Sequence, residues 1–177
     1  MKRLVIWFAC VAVLAALVHV AAVWAAPRII MAKVMSRIGG SEAVNSFVEP
    51  ARATADTRWV VRPSPDLAYS VCILDLSKGP VRVRVPLTGP YTSVALYSSA
   101  TDNYFVENGR EAASPALDIL VAPPGASKPA NVPEGARLIE APAMKGLVLV
   151  RRVIESDAAF EALDKVRRQA SCVPFQG

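Results

Sequence analysis

The sequence predicts an antiparallel β-sandwich with one C-terminal α-helix packed on it, preceded by an N-terminal transmembrane helix. Three observations predict it: an unbroken apolar run from Leu4 to Ala26, eight short alternating runs between Trp59 and Ile154 set apart by turn residues, and an amphipathic stretch from Ser156 to Ala170. The chain divides into a cytoplasmic N-terminus (1–3), an anchor (4–26), an amphipathic stalk and linker (27–56) and the sandwich (57–177).

The apolar run of 23 residues carries no charge and one imidazole, His19. At ~1.5 Å per residue it reaches ~34 Å, enough for the hydrocarbon core of a bilayer. The lipid bilayer is therefore the first expected partner, through Leu4 to Ala26. Lys2 and Arg3 before the run nearly balance Arg28, Lys33 and Arg37 after it, so flanking charge leaves the orientation open. A short basic start, a long apolar stretch and small residues near its end resemble a secretory signal, which places the remaining chain outside the cytoplasm. The run exceeds the usual signal length and favours an uncleaved single-pass anchor in the inner membrane; Val23, Ala25 and Ala26 offer the alternative of cleavage.

Five of the 20 basic residues flank that run, leaving 15 against 15 acidic residues from Gly40 onward. The pI of 9.4 is thus a membrane-flank signature. It gives no support to nucleic-acid binding, which needs a basic patch on the folded domain. From Arg28 to Ile38 the apolar Ile30, Met31, Val34, Met35 and Ile38 lie on one helical side. Lys33 and Arg37 lie elsewhere, as in a short interfacial helix or a continuation of the anchor ended by Gly39 and Gly40. Ser41 to Asp56 reads as linker.

The expected strands are Trp59–Arg62, Ala68–Leu76, Val81–Leu87, Tyr91–Ser98, Asn103–Val106, Leu117–Ala122, Arg137–Ala141 and Leu147–Ile154. Turn chemistry separates them at Pro63-Ser64-Pro65-Asp66, Ser77-Lys78-Gly79-Pro80, Thr88-Gly89-Pro90, Asn108-Gly109 and Pro123-Pro124-Gly125. In Val81 to Val85 the valines share one face and Arg82 and Arg84 the other, a strand with one buried and one solvated side. Val71 to Leu74 is apolar on both faces and should be covered twice. The expected cover is the last helix, with Ser156 as N-cap and Ala159, Phe160, Leu163, Val166 and Ala170 as its apolar stripe.

Cys10 lies within the anchor, so Cys72 and Cys172 are the thiols left to form one bond across a long loop; the alternative is two separate buried small side chains. With His19 in the anchor and no CxxC spacing, the usual zinc ligands are missing, and no metal or cofactor is implied.

The segments Asp66-Leu67-Ala68-Tyr69-Ser70, Leu74-Asp75-Leu76-Ser77, Gly79-Pro80-Val81 and Val85-Pro86, with Gly89, Tyr91, Ser93 and Leu96-Tyr97, resemble the bacterial domain-of-unknown-function family 1254, in its short membrane-anchored branch. The resemblance covers about 40 residues closely and about 110 loosely. It implies a β-sandwich, often followed in longer proteins by a second β domain before which this chain ends. Ser64 and Leu67 stand where Asn and Thr are common, and Ala100-Thr101-Asp102-Asn103 replaces a more usual Tyr-Thr-Asn stretch. The resemblance implies no activity.

No nucleophile–base pair, G-x-S-x-G elbow, S-x-x-K pair or phosphate-binding glycine loop is present. The polar stretch Ser98 to Arg110 is the expected ligand site. Asp66, Tyr69, Tyr97, Asp102, Asn103 and Arg110 are its candidate binding residues, set against plain turn-forming and packing roles. The leading expectation is a non-enzymatic envelope domain that binds a partner protein or small ligand, or supports an assembly. The alternatives are a metal-independent hydrolase or lyase using two of Asp66, Asp75, Asp102, Glu107, Glu111 and Asp118, and a redox role for Cys72.

Overall fold

The computed structural model describes residues 1–38, 43–54, 56–57, 63–87, 89, 91–110, 114–127, 129 and 131–176. The expected strand Trp59–Arg62, the helix-ending Gly39 and Gly40, the turn residues Thr88 and Pro90, and Glu111 lie outside these residues.

A single helix, α1 (Lys2–Arg37), runs through the expected anchor and most of the stalk without a break. With a mean hydropathy of 2.6 in its most apolar stretch, it is the one helix among the described residues long and apolar enough to cross a bilayer. Pro27 lies inside it. One residue later the Arg28 guanidinium donates to the Trp24 carbonyl and rests 4.2 Å from the centre of the Trp24 ring, an aromatic and basic pair suited to the membrane–water boundary. The side chains of residues 4–23 are exposed all round, whereas Met31 and Ile38 are each only 7% exposed.

The remaining elements are β1 (Phe47–Val48), β2 (Leu67–Asp75), β3 (Val81–Pro86), β4 (Thr92–Ser98), β5 (Asn103–Asn108), β6 (Ala116–Ala122), β7 (Arg137–Glu140), β8 (Lys145–Val153), α2 (Phe160–Arg167) and β9 (Ser171–Pro174). They build two sheets, ordered β1-β2-β8-β4-β5 and β7-β6-β3-β9. Among the described residues the named strands pair antiparallel except β6 with β7, which run parallel, and an isolated bridge between Val44 and Ile73 is also parallel. The sandwich and its C-terminal helix match the predicted fold, with that one parallel edge added.

Valine periodicity sets the facing surfaces. Val81, Val83 and Val85 of β3, with Leu117, Ile119 and Val121 of β6, meet Cys72, Leu74, Val94, Leu96, Val148 and Val150 of the larger sheet. Each such side chain contributes ~1.5–3 kcal/mol on leaving water. Arg82 and Arg84 point outward, as expected, and both reach Asp118 on the neighbouring strand, Arg82 through two parallel hydrogen bonds of 2.9 and 2.6 Å.

Residues 71–74 are buried on both faces, but the outer cover differs from the expected one. The end of α1 supplies it: Met31, Val34, Met35 and Ile38 cluster with Val71 of β2, Leu147 and Leu149 of β8 and Tyr97 of β4. α2 is shorter than the predicted helix and packs Phe160 and Leu163 against Ala68 and Ile154 at one end of the sandwich. Ser156 is not the N-cap that the sequence predicts: the helix begins at Phe160 with Ala159 in the cap position and no side-chain cap, and the Ser156 hydroxyl instead accepts from the Ala159 N–H in the turn that precedes the helix. The helix stops at Arg167 because the chain next becomes β9, which fills the free edge of β3 and sets Cys172 opposite Val83. Neither β1 nor β9 is among the predicted strands. Both are short and gain their stability from a neighbour rather than from a pattern of their own.

Cys72 and Cys172 form a disulfide across 100 residues of sequence, joining β2 of one sheet to β9 of the other. In the loop-entropy description a closure of this length stabilises by ~4–5 kcal/mol. Reduction of the full chain in detergent should therefore lower its unfolding free energy by about that amount in a denaturant titration. A second constraint is Gly146, where an added Cβ would lie 2.6 Å from the Tyr97 carbonyl oxygen. Gly146→Ala should force β8 away from β4 and cost ~1–3 kcal/mol, read as a lower urea midpoint.

Candidate functional site

The β4–β5 hairpin forms as predicted, and its turn is organised by one hydroxyl. Ser98 Oγ accepts from the N–H groups of Ala100 and Asp102 and donates to the Asp102 carboxylate at 3.0 Å. Thr101 takes a positive φ of 73° to close the turn. Asn103 follows at the exposed start of β5, opposite Tyr97, whose ring belongs to the cluster under α1. Asp102, Asn103 and Tyr97 thus lie at one end of the larger sheet.

Arg110 lies at the other. The six residues of β5 run from Asn103 to Asn108, five steps that cover ~17 Å at 3.3 Å per residue. The Arg110 guanidinium lies over the Tyr91 ring at 5.3 Å. Tyr69 is also towards this end, paired with Arg151, which in turn faces Ser93 across the next strand. Its hydroxyl accepts from the Ser64 N–H. Asp66 is exposed in the turn before β2, and its carbonyl accepts from the Ile154 N–H. The six candidates therefore form two groups, one at each end of the sheet.

Asp75, Glu107 and Asp118 are held by separate partners. Asp75 accepts from the Ser77 N–H, and hydrogen bonding by Ser77 lowers its pKa. Glu107 of β5 pairs with Arg137 of β7, a bridge from one sheet to the other. Asp118 is shared by Arg82 and Arg84. Burial pushes the Tyr104 phenol up, and its hydroxyl has no hydrogen-bond partner among the described residues.

The most constrained polar region is the end of the sandwich closed by α2. Arg167, 3% exposed, bonds Asp164 through Nε and donates from Nη1 to the carbonyls of Pro50 and Tyr69, so that one side chain ties α2 to β2 and to the segment before it. Arg168 bonds the other oxygen of Asp164. Burial acts to raise the Asp164 carboxyl, but the hydrogen bonds and charges of Arg168 and Arg167 outweigh it and hold the group below its ordinary 3.8. Beneath α2 lies Arg152 of β8, wholly buried. Neither arginine is among the predicted site residues. A signal was present for one of them: Arg152 continues the inward row Val148, Val150 at period two, where an apolar residue is expected.

Residues 44–174 match the family described as Protein of unknown function (DUF1254). The chain belongs to that family. The DUF1254 match spans both sheets and α2, and includes β1 and β9, which periodicity did not reveal. No curated protein matches the chain. Its fold is similar to that of the VPA0106 protein from Vibrio parahaemolyticus, with a TM-score of 0.68 at 13% identity, covering 86% of this chain and 36% of that one. The chain thus spans about a third of that protein's length. An uncharacterized protein from Burkholderia cenocepacia aligns with a TM-score of 0.43 at 19% identity, over 62% of this chain and 31% of that one.

Because the Asp164 carboxyl is lowered in the folded state, its stabilising contribution is present above about pH 4 and is lost as the pH falls through the folded value. Asp164→Asn should cost on the order of 1 kcal/mol at neutral pH. It should also flatten the acid limb of a stability-versus-pH curve measured by urea unfolding.

Proposed function

We propose that this DUF1254 chain is a single-pass inner-membrane protein whose domain lies in the periplasm and serves as a non-enzymatic binding or structural accessory. The observation that carries the reading is the continuity of α1. The helix that can span the bilayer also supplies the outer cover of the larger sheet. From Ala26 to Met31 the helix rises only ~8 Å, so a domain docked at Met31 rests close to the membrane surface. Anchor and domain then act as one body rather than as a tether and a free module. The Cys72–Cys172 disulfide supports an oxidising compartment. The separate bonding of Asp75, Asp102, Glu107 and Asp118 fits structural roles for those groups.

Lys78 is exposed in the turn after β2 and offers a position for a topology test. In spheroplasts, a Lys78→Cys variant should react with a membrane-impermeant maleimide before lysis. Protein from the native membrane should keep its full-length mass with Cys10 alone alkylated in the parent chain. Labelling of the Lys78→Cys variant only after lysis, or alkylation of Cys72 and Cys172 without reductant, would refute the proposed placement.

A further inference from the structure

Arg152 occupies the face of β8 that carries Val148 and Val150, so its side chain enters the space between the sheets. It is 0% exposed. Nη2 donates to the Pro86 carbonyl at the end of β3, at 3.1 Å, while Nε and Nη1 have no acceptor among the described residues. A guanidinium has five N–H donors, and those on Nε and Nη1 are unmet. Ser70, inward-facing on the adjacent β2, is also buried with its hydroxyl unpartnered among the described residues.

The surroundings add positive charge. Burial first, and then the nearby charge of Arg167, push Arg152 down to about 10, with Glu49 acting in the opposite direction. Yet Glu49 makes no hydrogen bond to Arg152 among the described residues. Arg167 has its own acceptors in Asp164, Pro50 and Tyr69. A buried cation whose acidic neighbour makes no hydrogen bond to it, and whose donors stay unmet, is a destabilising arrangement for a core to hold. A leucine would extend the valine row without that penalty. Arginine at this position makes physical sense where an anion completes it, because its planar fork matches the oxygens of a carboxylate or phosphate.

We propose that the end of the sandwich beneath α2, with Arg152 as the binding group and Ser70 and Arg167 beside it, is a site for a small oxyanion, a carboxylate or a phosphate. The site is independent of membrane topology. It gives the domain a ligand class that neither the family nor the fold supplies.

The test uses the full chain in uncharged detergent, titrated with inorganic phosphate and separately with acetate against sodium chloride of equal ionic strength. At a hundredfold excess over Kd, one of the two should raise Tm by ~5–10 °C relative to chloride. It should also move the Arg152 Nε resonance in a nitrogen-15 spectrum. A response to phosphate alone assigns a tetrahedral oxyanion, and a response to acetate alone a carboxylate; either supports the site. Arg152→Met should fold with an anion-free Tm at or above that of the parent and lose the response. Should that variant fail to fold, Ser70→Ala should weaken the response at least threefold in apparent Kd while retaining the parent Tm in chloride. No Tm or resonance change in the parent with either anion, or an undiminished response in Arg152→Met or, where that variant does not fold, in Ser70→Ala, overturns the proposal.

Discussion

The central strands of the larger sheet are apolar on both faces, and every major feature of the molecule follows from the need to cover them twice. Inward, Cys72, Leu74, Val148 and Val150 meet the smaller sheet. Outward, Val71, Leu147 and Leu149 would face water were it not for the end of α1. A sandwich with one solvated outer face needs polar residues there, and β3 supplies them with Arg82 and Arg84. β2 and β8 do not, so the domain requires a helix. The nearest segment in sequence that can serve is the continuation of the membrane span. The hydrophobic effect therefore couples anchor and domain.

The ends of the sandwich are closed by different means. At the end nearest the β4–β5 turn, Ser98 gathers the local backbone and Gly146 allows two strands to approach closely. At the other, α2 acts as a lid held by Arg167, whose donors reach carbonyls on two other segments. The disulfide ties β9 to β2 and so joins the two sheets covalently. Several outer polar groups are matched in pairs, Arg82 with Asp118 and Arg137 with Glu107 among them. Inside, Arg152 keeps donors unmet among the described residues, as do the hydroxyls of Ser70 and Tyr104. A family description without an activity leaves function to be argued from sites of this kind, since a β-sandwich by itself specifies none.

The candidate binding residues show how nearness in sequence and nearness in space differ. Asp102, Asn103 and Arg110 lie within nine residues of sequence, which suggests proximity. An intervening extended strand instead carries them to opposite ends of the sheet. Arg152 shows the converse. Its place in the valine row was legible, but its burial depended on Pro86, Arg167 and α2, which are remote in sequence.

By itself the sequence determined whatever depends on local period and composition: the membrane-length helix, the alternation of β3, the double burial of residues 71–74, the hairpin turns and the pair of thiols outside the anchor. Tertiary structure alone decided which surface met which. It placed α1 rather than α2 over the larger sheet, recruited β1 and β9 as edge strands, turned β7 parallel to β6 and set a charged side chain between the sheets. The physical reason is that a residue pattern specifies which face of an element must leave water, whereas the partner that covers it is selected by long-range packing, in which many apolar surfaces are chemically equivalent.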